Sequence, residues 1–538
     1  MHIGDEVASS ERMDPLFTAF SASNSRCAVA CPLRQKVELS LQTLVTLIFQ
    51  LLVLRSYTMF ILLAALACLT CVYILYASIG PRSSGKRLRN AFRGADSTQC
   101  PYQEAWNKQT VVWDIYAAHS PARDGYRHDI VRLAPNHYSI SDPRLVRLVF
   151  ASASKTDFYT NNFSHAPLPP IAFEMVHADD VQRRKTHTGG FLRLQVEEWS
   201  RFENAAGDVC QRLSTGLDVL REKSTTIDIY DHIGAACMEL GLRAMIGERS
   251  PSLVPLNAQG RNFTAETSTS YNNIGCSRTE QSGSSTIDAW CLRIFQKACK
   301  TGEEGPRILE SLRRFSGELG SEEVANIAAA EVSDDATASH LCGILSATLL
   351  QHLAENRDWQ RQVHESLFDR VASEPPERWL RRSVLSSCKT LGAVFWETLR
   401  LSPPVAGPQP RVVTIENDLL HDWGIEPGSI VTASAFVVNR SSMFGNEPDI
   451  WNPQRWLEAS DETARRWQRE MFTFGSGPRA CEGRELAKFI CLAITAWVVM
   501  RYNLTTDSYG MEASGGFIAH PHAKDNGEVL PIRLEDRV

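Results

Sequence analysis

Apolar and polar positions divide the chain into stretches of different grain. From Tyr57 to Ile79 it reads YTMFILLAALACLTCVYILYASI, an apolar run without a charge. At about 1.5 Å of rise per residue, a helix over this run just crosses about 30 Å of hydrocarbon. No polar second face marks it as a core helix. Its distance from the N-terminus and its long apolar core argue against a cleaved signal. Pro81 stops the helix, and Arg82, Lys86, Arg87 and Arg89 follow. That basic flank places the C-terminal side in the cytosol, against a weaker opposing bias from Arg34 and Lys36. The shorter run Leu41 to Leu54 predicts an interfacial or re-entrant helix, and residues 1–40 a disordered tail.

Beyond the anchor the period changes. Asp129 to Asp142 alternates about a Pro135-Asn136 turn and predicts a β-hairpin. Helical periodicity then dominates, over Ile227–Ile246, Trp290–Lys300, Glu322–Ala354, Trp359–Ala372 and Ser387–Leu401. Pro251 to Ser285 is polar and aperiodic, as in a long loop. Arg411 to Val438 reads as a second β-rich stretch with a turn at Glu426-Pro427-Gly428-Ser429. A last helix starts near Glu482 and runs through Val499. The predicted organisation is a tail (1–40), a membrane anchor (41–80, spanning about 57–79), a basic linker (81–100) and one large domain (101–538). The fold class is mainly α with a small β region.

Composition narrows the function. The net charge is −6, without the basic excess of a nucleic-acid binder. The 14 cysteines show neither zinc-ligand spacing nor a C-x-x-C-H motif. Scattered in this way, they fit a reducing compartment.

The most informative stretch is Phe474-Gly475-Ser-Gly-Pro-Arg479-Ala-Cys481-Glu-Gly483. A glycine-rich loop leads into a cysteine, and a helix follows. Glycines permit the angles that fold amides back toward one atom, and a helix N-terminus adds partial positive charge. Both favour a thiolate at Cys481. One reading is therefore a metal-binding thiolate at a helix N-terminus, with Arg479 able to reach an anionic group on the same face. A dinucleotide loop is the rival match, but no βαβ unit follows and Pro478 sits badly in its turn. A buried structural cysteine is the bland alternative. Glu397 and Arg400 stand three apart in FWETLRLSPP, so they face one another on one helix. Their apolar neighbours imply burial, which demands a further partner. Arg455, in WNPQRW, supplies it.

Taken together, Glu397-x-x-Arg400, Pro453-x-Arg455 and Phe474-Gly-x-Gly-x-Arg-x-Cys481-x-Gly483 resemble the signature of the cytochrome P-450 superfamily. With its anchor the chain looks like the microsomal members. Leu133-Ala-Pro-Asn136 and Lys155-Thr-Asp-Phe-Tyr159 are similar to fungal enzymes of secondary metabolism. The resemblance implies a P-450 fold around buried haem b, with Cys481 as axial ligand to the iron. A thiolate there pushes electron density toward iron and favours O–O cleavage. Phe474, Gly475 and Gly483 would shape the cofactor loop, and Arg479 would hold a haem propionate. Arg184 falls where the family places a second propionate ligand, although Asp180 replaces the usual partner four residues earlier. Arg411 is a third candidate. Glu397, Arg400 and Arg455 would form the ion network behind the haem. O2 would be co-substrate, with electrons from a separate NADPH-dependent reductase and cytochrome b5 as an alternative donor. A lipophilic small molecule would be the substrate, and the enzyme would sit in the endoplasmic reticulum membrane on a single span, in contact with membrane lipid.

One motif departs from the family. Its central helix carries a glycine, then an acid followed directly by threonine. Here the match is Val332-Ser333-Asp334-Asp335-Ala336-Thr337. Asp335 supplies the acid and Ala336 stands where threonine belongs. Thr337 lies one residue on, about 100° round the helix. Asp335 and Thr337 are therefore the candidate proton relay, on a helix that reads as short before Asp335. An amphipathic helix with a polar exposed turn is the competing reading. Two rival functions follow: a haem-thiolate catalyst of rearrangement, dehydration or ring closure, and a catalytically impaired haem-binding membrane protein.

Overall fold

The computed structural model describes Thr43 and residues 89–90, 110–120, 128–162, 175–176, 194, 198–223, 226–247, 252–254, 286–301, 320–414, 418–513, 517–519, 521–523 and 530–537. The chain divides into two compact units, Met1–Gly85 and Lys86–Val538. All described residues except Thr43 belong to the second. The predicted tail and membrane span, the run 41–54 apart from Thr43, and nearly all of 251–285 lie outside the described residues. Among the described residues, no helix is long and apolar enough to cross a membrane.

Helices dominate the second unit. The principal ones are α1 (Trp199–Lys223), α2 (Tyr230–Ile246), α3 (Thr286–Thr301), α4 (Ser321–Glu355), α5 (Arg357–Val371), α6 (Lys389–Leu401) and α7 (Arg484–Arg501). Alternating small and branched apolar residues let α4 run through the middle of the main core. There Ala325, Ala328, Ala329, Val332 and Ala336 are buried against residues of α2, α3 and α7. The α2–α4 crossing is close: a Cβ on Gly343 would lie 2.6 Å from the Cα of Gly234. Contrary to the short helix read from the sequence, α4 begins at Ser321, about four turns before Asp335. Its bounds match the helical pattern read over Glu322–Ala354 to within one residue at each end.

The predicted hairpin is present. Strands β2 (Ile130–Ala134) and β3 (His137–Ile140) pair antiparallel across Asn136, whose φ is 57°. They belong to a six-stranded sheet with β1 (Arg89–Asn90), β4 (Ser154–Lys155), β6 (Pro408–Val412) and β7 (Ile430–Ser434), in the order β1-β2-β3-β7-β6-β4. Arg89 and Asn90, within the stretch read as linker, thus pair with Val131 and Arg132. A second sheet joins β5 (Ile227–Asp228), β9 (Pro531–Asp536) and β8 (Tyr502–Thr505), with β9 in the middle. The β-rich stretch ends earlier than expected, because Ala435–Val438 turns helical under a Ser434 cap on the Val437 amide. Ser387 and α6 are likewise separated by an extended Cys388, where one helix had been read.

Candidate active site

The cysteine loop is built by two glycines and the end of an upstream helix. Gly475 and Gly477 have φ of 69° and 70°, a region that penalises any side chain. A Cβ on Gly477 would also come within 2.8 Å of the Phe150 carbonyl carbon, in helix Pro143–Ser152. The amides of Gly475, Ala480 and Cys481 bond the carbonyls of Phe472, Gly477 and Phe474 at 2.8, 3.0 and 2.7 Å. They close the loop on itself, where convergence on the sulfur was expected. Gly483 caps α7, so Cys481 precedes the first helical turn by three residues.

Cys481 is exposed, and it lines a cavity of about 350 Å³. Phe474, Gly475, Arg479 and Gly483 line the same cavity, as does Asp335 from α4. Phe395, Leu399, Leu486 and Ile490 give it apolar walls. Its α4 wall is a helical stripe: Glu331, Asp334 and Asp335, Ala338, Leu341 and Cys342, then Leu345. Ala336 is off this stripe, fully buried in the core. The Thr337 side chain and Arg184 lie outside the described residues. Sequence reasoning missed Glu331, Asp334 and Ser339, although their spacing from Asp335 carried the signal. The Ser339 hydroxyl donates to the Asp335 carbonyl at 2.8 Å.

Arg411 does not line this cavity. Its guanidinium lies 4.8 Å from the ring centres of Phe150 and Tyr159, and its Nη1 donates to the Tyr159 hydroxyl and, at 2.9 Å, to the Pro410 carbonyl.

The ion network is assembled behind the cavity. Glu397 and Arg400 are both 0% exposed. Arg400 donates to both Glu397 oxygens at 2.9 and 2.8 Å, and Arg455 Nε adds a bond at 2.9 Å. The Asn452 amide and Trp456 Nε1 also donate to Glu397, each at 2.9 Å. Burial alone would raise the Glu397 carboxyl. The Arg400 guanidinium, helped by the Asn452 amide and Arg455, holds it below the ordinary carboxylate value.

A link unread in the sequence joins this network to the loop. Arg400 Nη1 donates to the Asn439 carbonyl at 3.1 Å. The Asn439 side chain then binds the Phe472 amide at 2.9 Å and the Thr473 hydroxyl at 2.7 Å, just ahead of Phe474.

A thiol lining a cavity, a guanidinium lining it too and apolar walls form a donor set that fits haem: one soft ligand, one cation for a carboxylate, and apolar surface for the macrocycle. The comparisons agree. The family model described as Cytochrome P450 matches residues 342–514, which include Glu397, Arg400, Arg455 and Cys481. The chain is 24% identical over 441 residues to the cytochrome P450 monooxygenase esdpH of Penicillium shearii, covering 72% of this chain and 82% of that protein. It is 28% identical over 163 residues to the cytochrome P450 monooxygenase mfmA of Annulohypoxylon moriforme, 30% of this chain and 31% of the relative. A shorter match, 37% over 114 residues, covers 21% of this chain and 22% of the cytochrome P450 monooxygenase pkfB of Emericella nidulans. With its signature residues gathered on one cavity and one buried network, the chain belongs to the cytochrome P450 superfamily.

Proposed function

We propose that this protein is a haem-thiolate monooxygenase that inserts one oxygen atom from O2 into a lipophilic small molecule of fungal secondary metabolism. The observation that carries the reading is Cys481, exposed on the wall of a cavity whose other walls are largely apolar. Haem, when bound, supplies O2 activation using electrons delivered from outside. The rest falls to the chain. Cys481 holds the iron and Arg479 holds a propionate. Leu486, Ile490 and Phe395 exclude water, which strengthens every polar contact within. Asp335, on the α4 wall, holds a proton at its carboxyl for delivery into the cavity, with Thr337 as its partner. The donor is a separate NADPH-dependent reductase, with cytochrome b5 as an alternative. The run 57–79 anchors the protein in the endoplasmic reticulum membrane with the catalytic unit in the cytosol. Fungal relatives named as monooxygenases support the substrate class.

Reduced wild-type protein is expected to give the CO-difference band of thiolate-ligated haem, and Cys481→Ala to lose it. An unchanged band in the variant refutes the ligand assignment. The burial of Ala336, where the family places an alcohol, favours a second reading: rearrangement or ring closure without oxygen insertion. Turnover under 18O2 separates the two. Label in the product supports insertion, and unlabelled product formed without NADPH supports the second.

A further inference from the structure

A second cavity lies where α4 gives way to α5. Glu355, Arg357, Asp358 and Trp359 line it from that junction, and Thr506 and Tyr509, just beyond β8, line it from the other side. Its volume is about 520 Å³, and among the described residues it shares no lining residue with the Cys481 cavity.

Glu355 gives this cavity its character. The side chain is 12% exposed. Its Oε1 accepts from Gln351 Nε2 and from the Gly510 amide, each at 3.2 Å, and both donors are neutral. Its Oε2 lies 3.9 Å from His352 Nδ1. Burial pushes that imidazole down to about 3, so it is neutral at pH 7. Among the described residues, no lysine or arginine pairs with Glu355, and burial pushes its carboxyl up. A carboxylate held in this way gains strongly from a cation brought to its open oxygen. Arg357 is exposed, so water screens its charge. Trp359 and Tyr509 line the same cavity, and aromatic faces attract cations. Beneath it, Gln351 also reaches Thr506 Oγ1 at 3.5 Å. Gln351 Oε1 and Ser508 Oγ are buried there with no hydrogen-bond partner among the described residues. Polar atoms left unpaired in this way favour a hydrogen-bonding ligand over an apolar one.

We propose that this cavity is a second ligand site, separate from the Cys481 cavity, for a small organic cation of the guanidinium or alkylammonium class. Glu355 is the counter-ion, with Oε2 as the docking atom, and Trp359 and Tyr509 are the aromatic walls. The site makes no use of Cys481.

Two probes of one shape test it. Benzylguanidinium carries a charge, benzylurea does not, and the protonated guanidinium has no lone pair to offer iron. Full-length holoenzyme is titrated with each by calorimetry at low ionic strength, with the Soret band followed in parallel. Wild type is expected to bind one benzylguanidinium at least about tenfold more tightly than benzylurea, with the Soret band unmoved. Glu355→Gln keeps an acceptor for Gln351 and Gly510 and should bring the two constants within about twofold of each other. Tyr509→Leu, at an exposed side chain, should weaken benzylguanidinium about threefold. Failure of wild type to bind benzylguanidinium, or equal affinity for the two probes, overturns the site. So does a preference that survives Glu355→Gln, or a Soret shift that follows binding, which would put the probe in the Cys481 cavity. An unchanged constant in Tyr509→Leu overturns the part given to the Tyr509 ring. Should Glu355→Gln fail to fold, the comparison of probes in wild type and in Tyr509→Leu still decides.

Discussion

At the scale of single residues, Glu397 has the most consequence outside the cavity. It is a fully buried carboxylate whose acceptors serve two guanidinium groups, an indole and an amide. Glu397→Ala leaves Arg400 and Arg455 buried without their counter-ion, a loss of about 3–5 kcal/mol. The variant should unfold at lower temperature and bind less haem per mole, measured by the reduced-CO band. Asp358→Ala removes an exposed partner of Arg361 and should change stability by less than about 1 kcal/mol. Equal effects of the two substitutions would rule out burial as the source. Glu397 and Arg400 were legible because helical spacing and apolar neighbours both pointed to them. Glu239 was not flagged, though it is equally buried and bonds Arg243 four residues on. Its strongest partners are Arg212, on another helix, and the Leu253 amide, which no local pattern reveals.

At the scale of elements, the central helix matters most. Its existence and type were legible from periodicity, but its rotation was not. Aligning a degenerate motif placed position 336 toward the chemistry, whereas packing against α2, α3 and α7 turns Ala336 into the core and Ala338 to the cavity. Rotation follows from which face the neighbouring helices cover, and that information is not local. The distinction has a measurable consequence. Ala336→Thr adds volume and a hydroxyl to a filled core and should cost about 1–3 kcal/mol, with imidazole binding by the folded fraction unchanged. Ala338→Thr should leave the thermal midpoint nearly unchanged and alter affinity for ligands in the cavity. The reverse pattern in melting and titration would mean that α4 is turned the other way. The cysteine loop, by contrast, was readable in full as an element, since glycine spacing fixes its backbone. Only the destination of its amides differed.

Acid response belongs to the whole molecule, because the groups responsible sit in separate parts of the fold. His137 lies in the six-stranded sheet, bonded to the Thr432 hydroxyl at 2.9 Å, and burial pushes its pKa down to about 4. His352, near the end of α4, stacks on Trp451 at 4.6 Å, and burial takes it to about 3. Burial shifts His232 in the same direction. All three are neutral when folded at neutral pH, while the unfolded chain takes up these protons near the ordinary value of 6.5. Below that pH the unfolded state binds more protons, so stability falls with pH. Each histidine contributes at most about 1.4 kcal/mol per pH unit, until its folded form protonates. Glu397 acts in the same direction only lower down: its folded pKa is depressed, so its contribution is complete above the ordinary 4.5 and is lost as pH falls past its folded value. Urea midpoints should therefore hold steady above about pH 7 and drop between pH 6.5 and pH 5. The paired substitution His137→Gln and His352→Gln, which removes both titrating rings, should flatten that drop even if it lowers stability at pH 7. A decline as steep in the double variant as in wild type would show that burial of these imidazoles does not set the acid limit of the fold.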